Sequence, residues 1–202
     1  MFPFNPISFL RSAITVDRRS TVNGRRSQGT RRLENVDALV LHQTGFTRGN
    51  SVTSYDTVGV HFVIIPDGTI LQLYDETTYL HASNGFNRRS VAVEFVGNFP
   101  MQNGRWWRGG DAQNIPSERQ ILGGRSLVSF LQISLGITHV FAHRQATSPN
   151  RRGNCPGPHI WYNVGEWAKG RGLSDGGPNY TIGSGGPIPD KWRSNEFSLL
   201  SA

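Results

Sequence analysis

Asp37-Ala38-Leu39-Val40-Leu41-His42-Gln43-Thr44 is a short apolar run bounded by polar residues, with an imidazole where the apolar character stops. Too short for a helix and without helical spacing, Asp37 to Leu41 reads as a buried strand that delivers His42 at its C-terminal end and opens into a polar loop. Downstream, Val60 to Ile65 and Thr69 to Tyr74 are two further β-type runs. Pro66-Asp67-Gly68 between them predicts a hairpin, because Pro presets φ and Gly permits a positive φ. Ser90 to Val96 reads as a fourth strand, with Val91, Val93 and Phe95 on one face and Ala92, Glu94 and Val96 on the other.

Ser117 to Gly136 is the strongest helix pattern. Ser117 and Gln120 form a capping box, Ile121, Val128, Leu131 and Leu135 recur near helical spacing, and Gly123-Gly124 weakens the first half. His139 to Ala142 is then a short buried strand with His143 at its end, and Ile160 to Lys169 a closing helix with Trp161, Val164 and Trp167 on one side. Strands and helices alternate too irregularly for a dinucleotide-binding fold, and no Gly-rich phosphate loop is present. The predicted fold class is α/β (α+β): a mixed central β-sheet flanked by helices.

Composition sets the outer bounds. The chain has 202 residues, 36% hydrophobic and 17% charged, which suits one domain with a core. Residues 35–169 form that domain, residues 1–34 an Arg-rich N-terminal extension and residues 170–202 a Gly/Pro-rich C-terminal extension, both expected to be flexible. Arg11 to Arg32 is expected as an extended or poorly ordered arm, and Gly170 to Pro189 as a linker or a loop lying over the domain. Lys and Arg number 21 against 14 Asp and Glu, a net charge of +7, and Lys169 and Lys191 are the only lysines. Such a surface favours polyanions: nucleic acid, anionic membrane or an acidic cell envelope. Apolar runs fall far short of the roughly 20 residues that cross a bilayer, so a soluble chain without a transmembrane segment is expected. Met1 to Leu10 lacks a basic n-region and is broken by Pro3 and Pro6, and no signal peptide is read.

Cys155 is the single cysteine, which excludes an intramolecular disulfide and a zinc site made only of thiolates. His42, His143 and Cys155, the last within Asn154-Cys155-Pro156-Gly157-Pro158, offer two imidazoles and one thiolate from the ends of elements. Three such ligands with a fourth position left for water are the composition of a catalytic zinc site. Taken singly, a histidine is more often a hydrogen-bonded core residue and a cysteine a small buried hydrophobe. A different chemistry would make Cys155 a nucleophile with His143 as its base; Pro156 directly after the cysteine and the company of His42 disfavour it.

Leu39-Val40-Leu41-His42-Gln43-Thr44, Val60-His61-Phe62-Val63-Ile64 with Asp67-Gly68-Thr69-Ile70, His81-Ala82 followed by Ser90-Val91-Ala92-Val93-Glu94, Ala142-His143-Arg144 and Cys155-Pro156-Gly157-Pro158 occur in that order. Together they resemble the zinc-dependent N-acetylmuramoyl-L-alanine amidases, a family that includes phage amidases and the peptidoglycan recognition proteins. The resemblance runs from about residue 35 to about 169. It implies one Zn2+ per chain held by His42, His143 and Cys155, at the edge of a groove that accepts the glycan-linked peptide. It also implies Glu94 as the acidic residue beside the metal, where a carboxylate can take a proton from the attacking water and return it to the leaving amine. His81, with Asn84 and Asn87 in the loop that follows, would line the groove and bind substrate.

Two positions depart from the pattern: Val60 stands where several relatives carry Tyr, and Gly153 where many carry Lys. Arg151 or Arg152 is then the candidate for oxyanion support. His61 is expected to be packed and hydrogen-bonded, His139 to support the site from behind, and His159 has no assigned role. Trp106 and Trp107, between Arg105 and Arg108, are candidates for stacking on a sugar or binding the envelope.

The resemblance makes the expected function hydrolysis of the amide between N-acetylmuramic acid and L-alanine of the stem peptide, as a phage lysis enzyme or antibacterial effector. The alternative is a peptidoglycan-recognition module that does not cut. Peptidoglycan is the expected partner, with an immunity protein or delivery machinery beside it. Nucleic acid is not expected, since no aromatic-basic binding motif accompanies the charge. The chain is expected to be a monomer, made in the cytoplasm and acting on the wall.

Overall fold

The run at 37–41 becomes the middle of a six-stranded sheet. In a computed structural model of the chain, residues 16–22, 24–99 and 115–200 are described. The strands are β1 (Val16–Asp17), β2 (Ala38–Gln43), β3 (Phe62–Ile64), β4 (Ile70–Gln72), β5 (Ser90–Phe95) and β6 (His139–Ala142), in the order β1-β4-β3-β5-β2-β6. Only β3 and β4 pair antiparallel, as the hairpin over Pro66-Asp67-Gly68; every other pair is parallel. Every residue of β2 is buried. Covered on both faces, a parallel strand has no reason to alternate, and its apolar run is continuous.

Register sorts the side chains. Leu39, Leu41, Val91, Val93, Phe95, Phe62 and Ile64 pack on one face against the long helix and the C-terminal helical segment. The opposite face carries Ala38, Val40, Ala92, Val63 and Phe141 and is covered by loops and short turns that contribute Tyr55, Leu80 and Phe86. His42 and Glu94 project from this loop-covered face.

Four helical segments follow from local chemistry: α1 (Arg19–Val22), α2 (Glu118–Leu135), α3 (Pro149–Arg152) and α4, which runs from Pro158–Ile160 through a π-helical Trp161–Glu166 to Trp167–Gly170. The expected capping box closes α2. The Gln120 N–H donates to Ser117 Oγ at 3.0 Å, and the Ser117 N–H to Gln120 Oε1 at 3.1 Å. Gln120 Nε2 also donates to the carbonyls of Ile64 and Val96, tying the helix start to the sheet. Gly136 ends the helix at φ +66°. The Gly123-Gly124 pair has a packing reason. A Cβ at Gly124 would lie 2.6 Å from the Phe95 ring, and one at Gly123 2.9 Å from the Gly68 carbonyl, so the helix sits closer to the sheet than any side chain permits.

The described parts of both extensions are seated on the domain. β1 adds a sixth strand beside β4, and Arg18 forks onto Asp56 at 3.0 and 2.5 Å. Residues 28–31 run along residues 77–79: the Gln28 N–H donates to the Tyr79 carbonyl, the Tyr79 N–H to the Gly29 carbonyl, and Thr30 bridges Thr78 antiparallel. At the other end, Asp175 meets Arg193 at 2.8 Å and Lys169 at 3.2 Å, Glu166 also pairs with Arg193, and Trp192 is buried against the core. This stretch is a loop over the domain.

His61 is packed and hydrogen-bonded, as expected, and its surroundings make a pH prediction. Its Nδ1 accepts the Ala92 N–H at 3.0 Å, so Nε2 carries the proton toward the Thr78 carbonyl, also at 3.0 Å, with the Arg31 guanidinium alongside. Burial, then the Arg31 charge, push its pKa down from 6.5 to about 3. The folded state holds the neutral ring while the unfolded chain takes up a proton below 6.5. The stability is therefore complete above that pH and is lost as pH falls toward about 3, by about 1.4 kcal/mol per pH unit. Urea midpoints measured between pH 6.5 and 4.5 are expected to fall more steeply for the wild type than for His61→Gln; parallel slopes would contradict the assignment.

Candidate active site

Three parallel strands, β5, β2 and β6, end side by side, and each presents a chemical group at its carboxyl end. Glu94 is the register partner of His42, and Leu41 pairs with Ala142, so His143, one residue past β6, arrives next to His42. Their rings lie 4.3 Å apart between centroids. Cys155 enters from the loop after α3. Its carbonyl accepts the Arg144 N–H at 3.0 Å, its N–H donates to the Arg152 carbonyl at 2.9 Å, and its Sγ accepts the Gln43 N–H at 3.4 Å. One ligand atom from each of His42, His143 and Cys155 falls within 4.8 Å of the others, and all three residues are buried.

The second nitrogens of both rings are occupied. His42 Nε2 meets Ser83 Oγ at 3.0 Å, and His143 Nε2 meets the side-chain amide of Asn84 at 3.3 Å. His143 Nδ1, by contrast, is buried with no hydrogen-bond partner among the described residues, as is Glu94 Oε2. Histidine ligands of a metal characteristically engage their other ring nitrogen in this way. Two imidazoles and one thiol with an orphaned ring nitrogen between them fit a zinc ion with one open position.

Burial governs the charge state of the cluster. Burial pushes both imidazoles down, His143 to about 3, with Arg152 adding to the effect on each; neutral imidazole is the ligand form. Burial, reinforced by Glu94, pushes the Cys155 thiol up, and burial raises Glu94 to about 8 against the opposing charge of Arg152. A divalent cation at this point reverses both penalties.

Glu94 also lines an open cleft of about 300 Å³ with Val58, Gly59, Val60, His81 and Ala82. The sequence-predicted residues divide accordingly. His42, His143, Cys155 and Glu94 come together. His81 is exposed on the cleft wall, edge-on to Tyr79 at 5.3 Å. Asn84 and Asn87 lie in the loop that follows: Asn84 meets His143, and Asn87 Oδ1 accepts the Ser83 N–H at 2.6 Å. Arg151 is exposed, while the charge of Arg152 acts on His42, His143, Glu94 and Cys155 alike.

His139 sits at the far end of β6, with Nδ1 2.8 Å from Thr138 Oγ1 and 3.6 Å from Asp37, and gives the site no support. His159 contacts the Phe197 carbonyl at 3.3 Å and anchors the C-terminal stretch. Trp106 and Trp107, with Arg105 and Arg108, lie outside the described residues. Three contributors were not anticipated. Ser83 carries no signal beyond its place in a loop, and Arg26 with Gln28 on the cleft wall is foreshadowed only by the Arg pairs of the arm.

A family model described as N-acetylmuramoyl-L-alanine amidase matches residues 32–158, more than half of the chain. Among solved structures, N-acetylmuramoyl-L-alanine amidase LysC from Clostridium intestinale is similar at a TM-score of 0.50 and 21% identity, over 69% of this chain and 87% of that one. PGRP-SA of Apis mellifera gives a TM-score of 0.57 at 16% identity, over 75% and 95% of the two chains. The Drosophila peptidoglycan recognition protein PGRP-SA gives 0.56 at 16%, over 80% and 95%. At these identities the likeness is one of fold. No curated protein matches the sequence.

Proposed function

The chain belongs to the N-acetylmuramoyl-L-alanine amidase family, and from that premise we propose that it is a zinc-dependent peptidoglycan hydrolase. The bond cut is the amide between the lactyl group of N-acetylmuramic acid and L-alanine of the stem peptide. The observation that carries this reading is the buried His42, His143 and Cys155 cluster, its ligand atoms within 4.8 Å, with Glu94 the register partner of His42 and open to a cleft. When bound, zinc supplies Lewis acidity toward the amide carbonyl and the attacking water.

The chain's own groups do the rest. Ser83 and Asn84 hold the two imidazoles in orientation. Glu94 takes a proton from the attacking water and passes it to the nitrogen of L-alanine as the C–N bond breaks, leaving a lactyl carboxylate and a free amine. Arg152 contributes positive charge where the carbonyl oxygen becomes anionic. His81 offers a hydrogen-bonding group to sugar or peptide at the cleft wall. Action as a monomeric lysis enzyme or antibacterial effector, delivered to the wall by other machinery, belongs to the same proposal; the net charge of +7 supports adhesion to an acidic envelope.

Val60 on the cleft wall and Gly153 near the last ligand favour one competitor, a module that binds peptidoglycan without cutting it. Metal analysis and mass spectrometry of treated peptidoglycan separate the two. The expected result is about one zinc per chain and release of stem peptides with a free L-alanine amine, abolished by chelation and restored by zinc. Bound wall with no new amine would assign the protein to recognition.

A further inference from the structure

Residues 24–31 precede the stretch that the family model matches, yet they build one wall of the cleft at Glu94. Arg26 and Gln28 line it. Their segment is fixed by the backbone pairs of Gln28 and Gly29 with Tyr79, by the Thr30–Thr78 bridge, and by the Arg26 N–H, which donates to the Tyr74 hydroxyl at 3.2 Å. The Arg26 stem lies flat on Gly59, where a Cβ would come 3.2 Å from Arg26 Cγ and 3.4 Å from its Cβ. A side chain at position 59 would press on the arginine stem.

The arm's other described arginines are differently placed: Arg25 is exposed and does not line the cleft, and the rest are engaged elsewhere. Arg18 pairs with Asp56, Arg19 with Asp17 and Asp75, Arg32 with Glu34, and Arg31 donates to the Glu76 and Asn87 carbonyls. Among the described residues Arg26 has no carboxylate partner, and Glu94 is the only acid that lines the cleft. A cation held along the wall of the cleft that Glu94 also lines is arranged for an anion on the substrate.

The size of the cleft says which anion. An open cleft of about 300 Å³ has a linear dimension on the order of 7 Å, about what two extended residues span. With the scissile amide at Glu94, the group that reaches the far wall belongs to the second residue of the stem peptide. We infer that Arg26 is a specificity-determining residue that pairs with a free carboxylate on that second residue, an inference resting on the amidase reading above. Arginine matches a carboxylate with two parallel N–H donors. An isosteric carboxamide offers one oxygen without the charge and faces the guanidinium with an N–H donor, which it rejects.

The test uses the full zinc-loaded chain and two synthetic muramyl peptides that differ only in carboxylate against carboxamide at the second stem residue. Hydrolysis kinetics and calorimetric binding are measured for both. The wild type is expected to favour the carboxylate by about tenfold or more in kcat/KM, with the difference residing in KM. Arg26→Gln brings the ratio close to one, Arg26→Lys keeps part of it, and Arg32→Ala, on the surface beside Glu34, keeps all of it. A ratio unchanged in Arg26→Gln overturns the assignment, as does a wild type that cuts both peptides equally. If neither is cut but the carboxylate form binds more tightly and loses that advantage in Arg26→Gln, the assignment stands while the amidase reading falls. If neither is bound, both fall.

Discussion

Replacing Glu94 with glutamine is expected to lower kcat on peptidoglycan by about 10²- to 10⁴-fold while the protein still carries one zinc per chain. The change keeps the shape of the side chain and deletes its capacity to accept a proton. Glu94 is not one of the three clustered ligand residues, so metal content should hold. Its Oε2 is enclosed beside the buried His42 with no hydrogen-bond partner among the described residues, a placement that suits a proton carrier. Folding should not suffer either. With no cation bound, burial raises the carboxyl to about 8, so a neutral amide there carries no ionisation cost, while bound zinc would favour the carboxylate that accepts the proton. The measurements are kcat, zinc content and Tm on the same preparation. A variant within about threefold of wild-type kcat would remove Glu94 from proton transfer and shift attention to a water or to His81 at the cleft wall.

Much of this arrangement is legible in the chain because it depends on local order. The apolar run ending in His42 marks a strand enclosed on both faces, the alternation through Ser90 to Val96 puts Glu94 opposite the core residues Val91, Val93 and Phe95, and Ser117 with Gln120 announces the start of α2. What is not legible depends on partners remote in sequence. The Arg-rich arm looks solvated by composition, but its place is set by backbone bonds to Thr77 and Tyr79, about fifty residues away, which leave no trace in side-chain pattern. Nothing local in the sequence announces that Ser83 meets His42 and that Asn84 meets His143, with Asn84 at a φ of +50°, a conformation asparagine tolerates better than most residues. Gly123-Gly124 looks like a weak point in a helix until the Phe95 ring beneath it explains why nothing larger fits.

Cys155→Ser is expected to weaken zinc binding by more than about 100-fold, since even the groups that merely orient a ligand are worth roughly 10- to 100-fold in affinity. Serine nearly preserves the volume and can accept the Gln43 N–H that Cys155 Sγ accepts, so the fold should survive. Its oxygen is a harder and far less acidic donor than a thiolate, and zinc favours the sulfur. Thermal unfolding gives a readout independent of activity. At free zinc 100 times the wild-type Kd, binding adds about 2.7 kcal/mol to stability, and a 100-fold weaker variant retains only about 0.4 kcal/mol of that gain at the same zinc. The same substitution tests the cysteine-nucleophile chemistry, which predicts lost activity with the zinc-dependent gain intact. The electrostatics argue against that chemistry: burial and Glu94 push the thiol up, so without a cation the nucleophilic thiolate is scarce, whereas a cation held by His42 and His143 draws the thiol proton off. A wild-type zinc-dependent rise in Tm that persists undiminished in Cys155→Ser would take Cys155 out of the metal centre and leave His42 and His143 in need of another ligand.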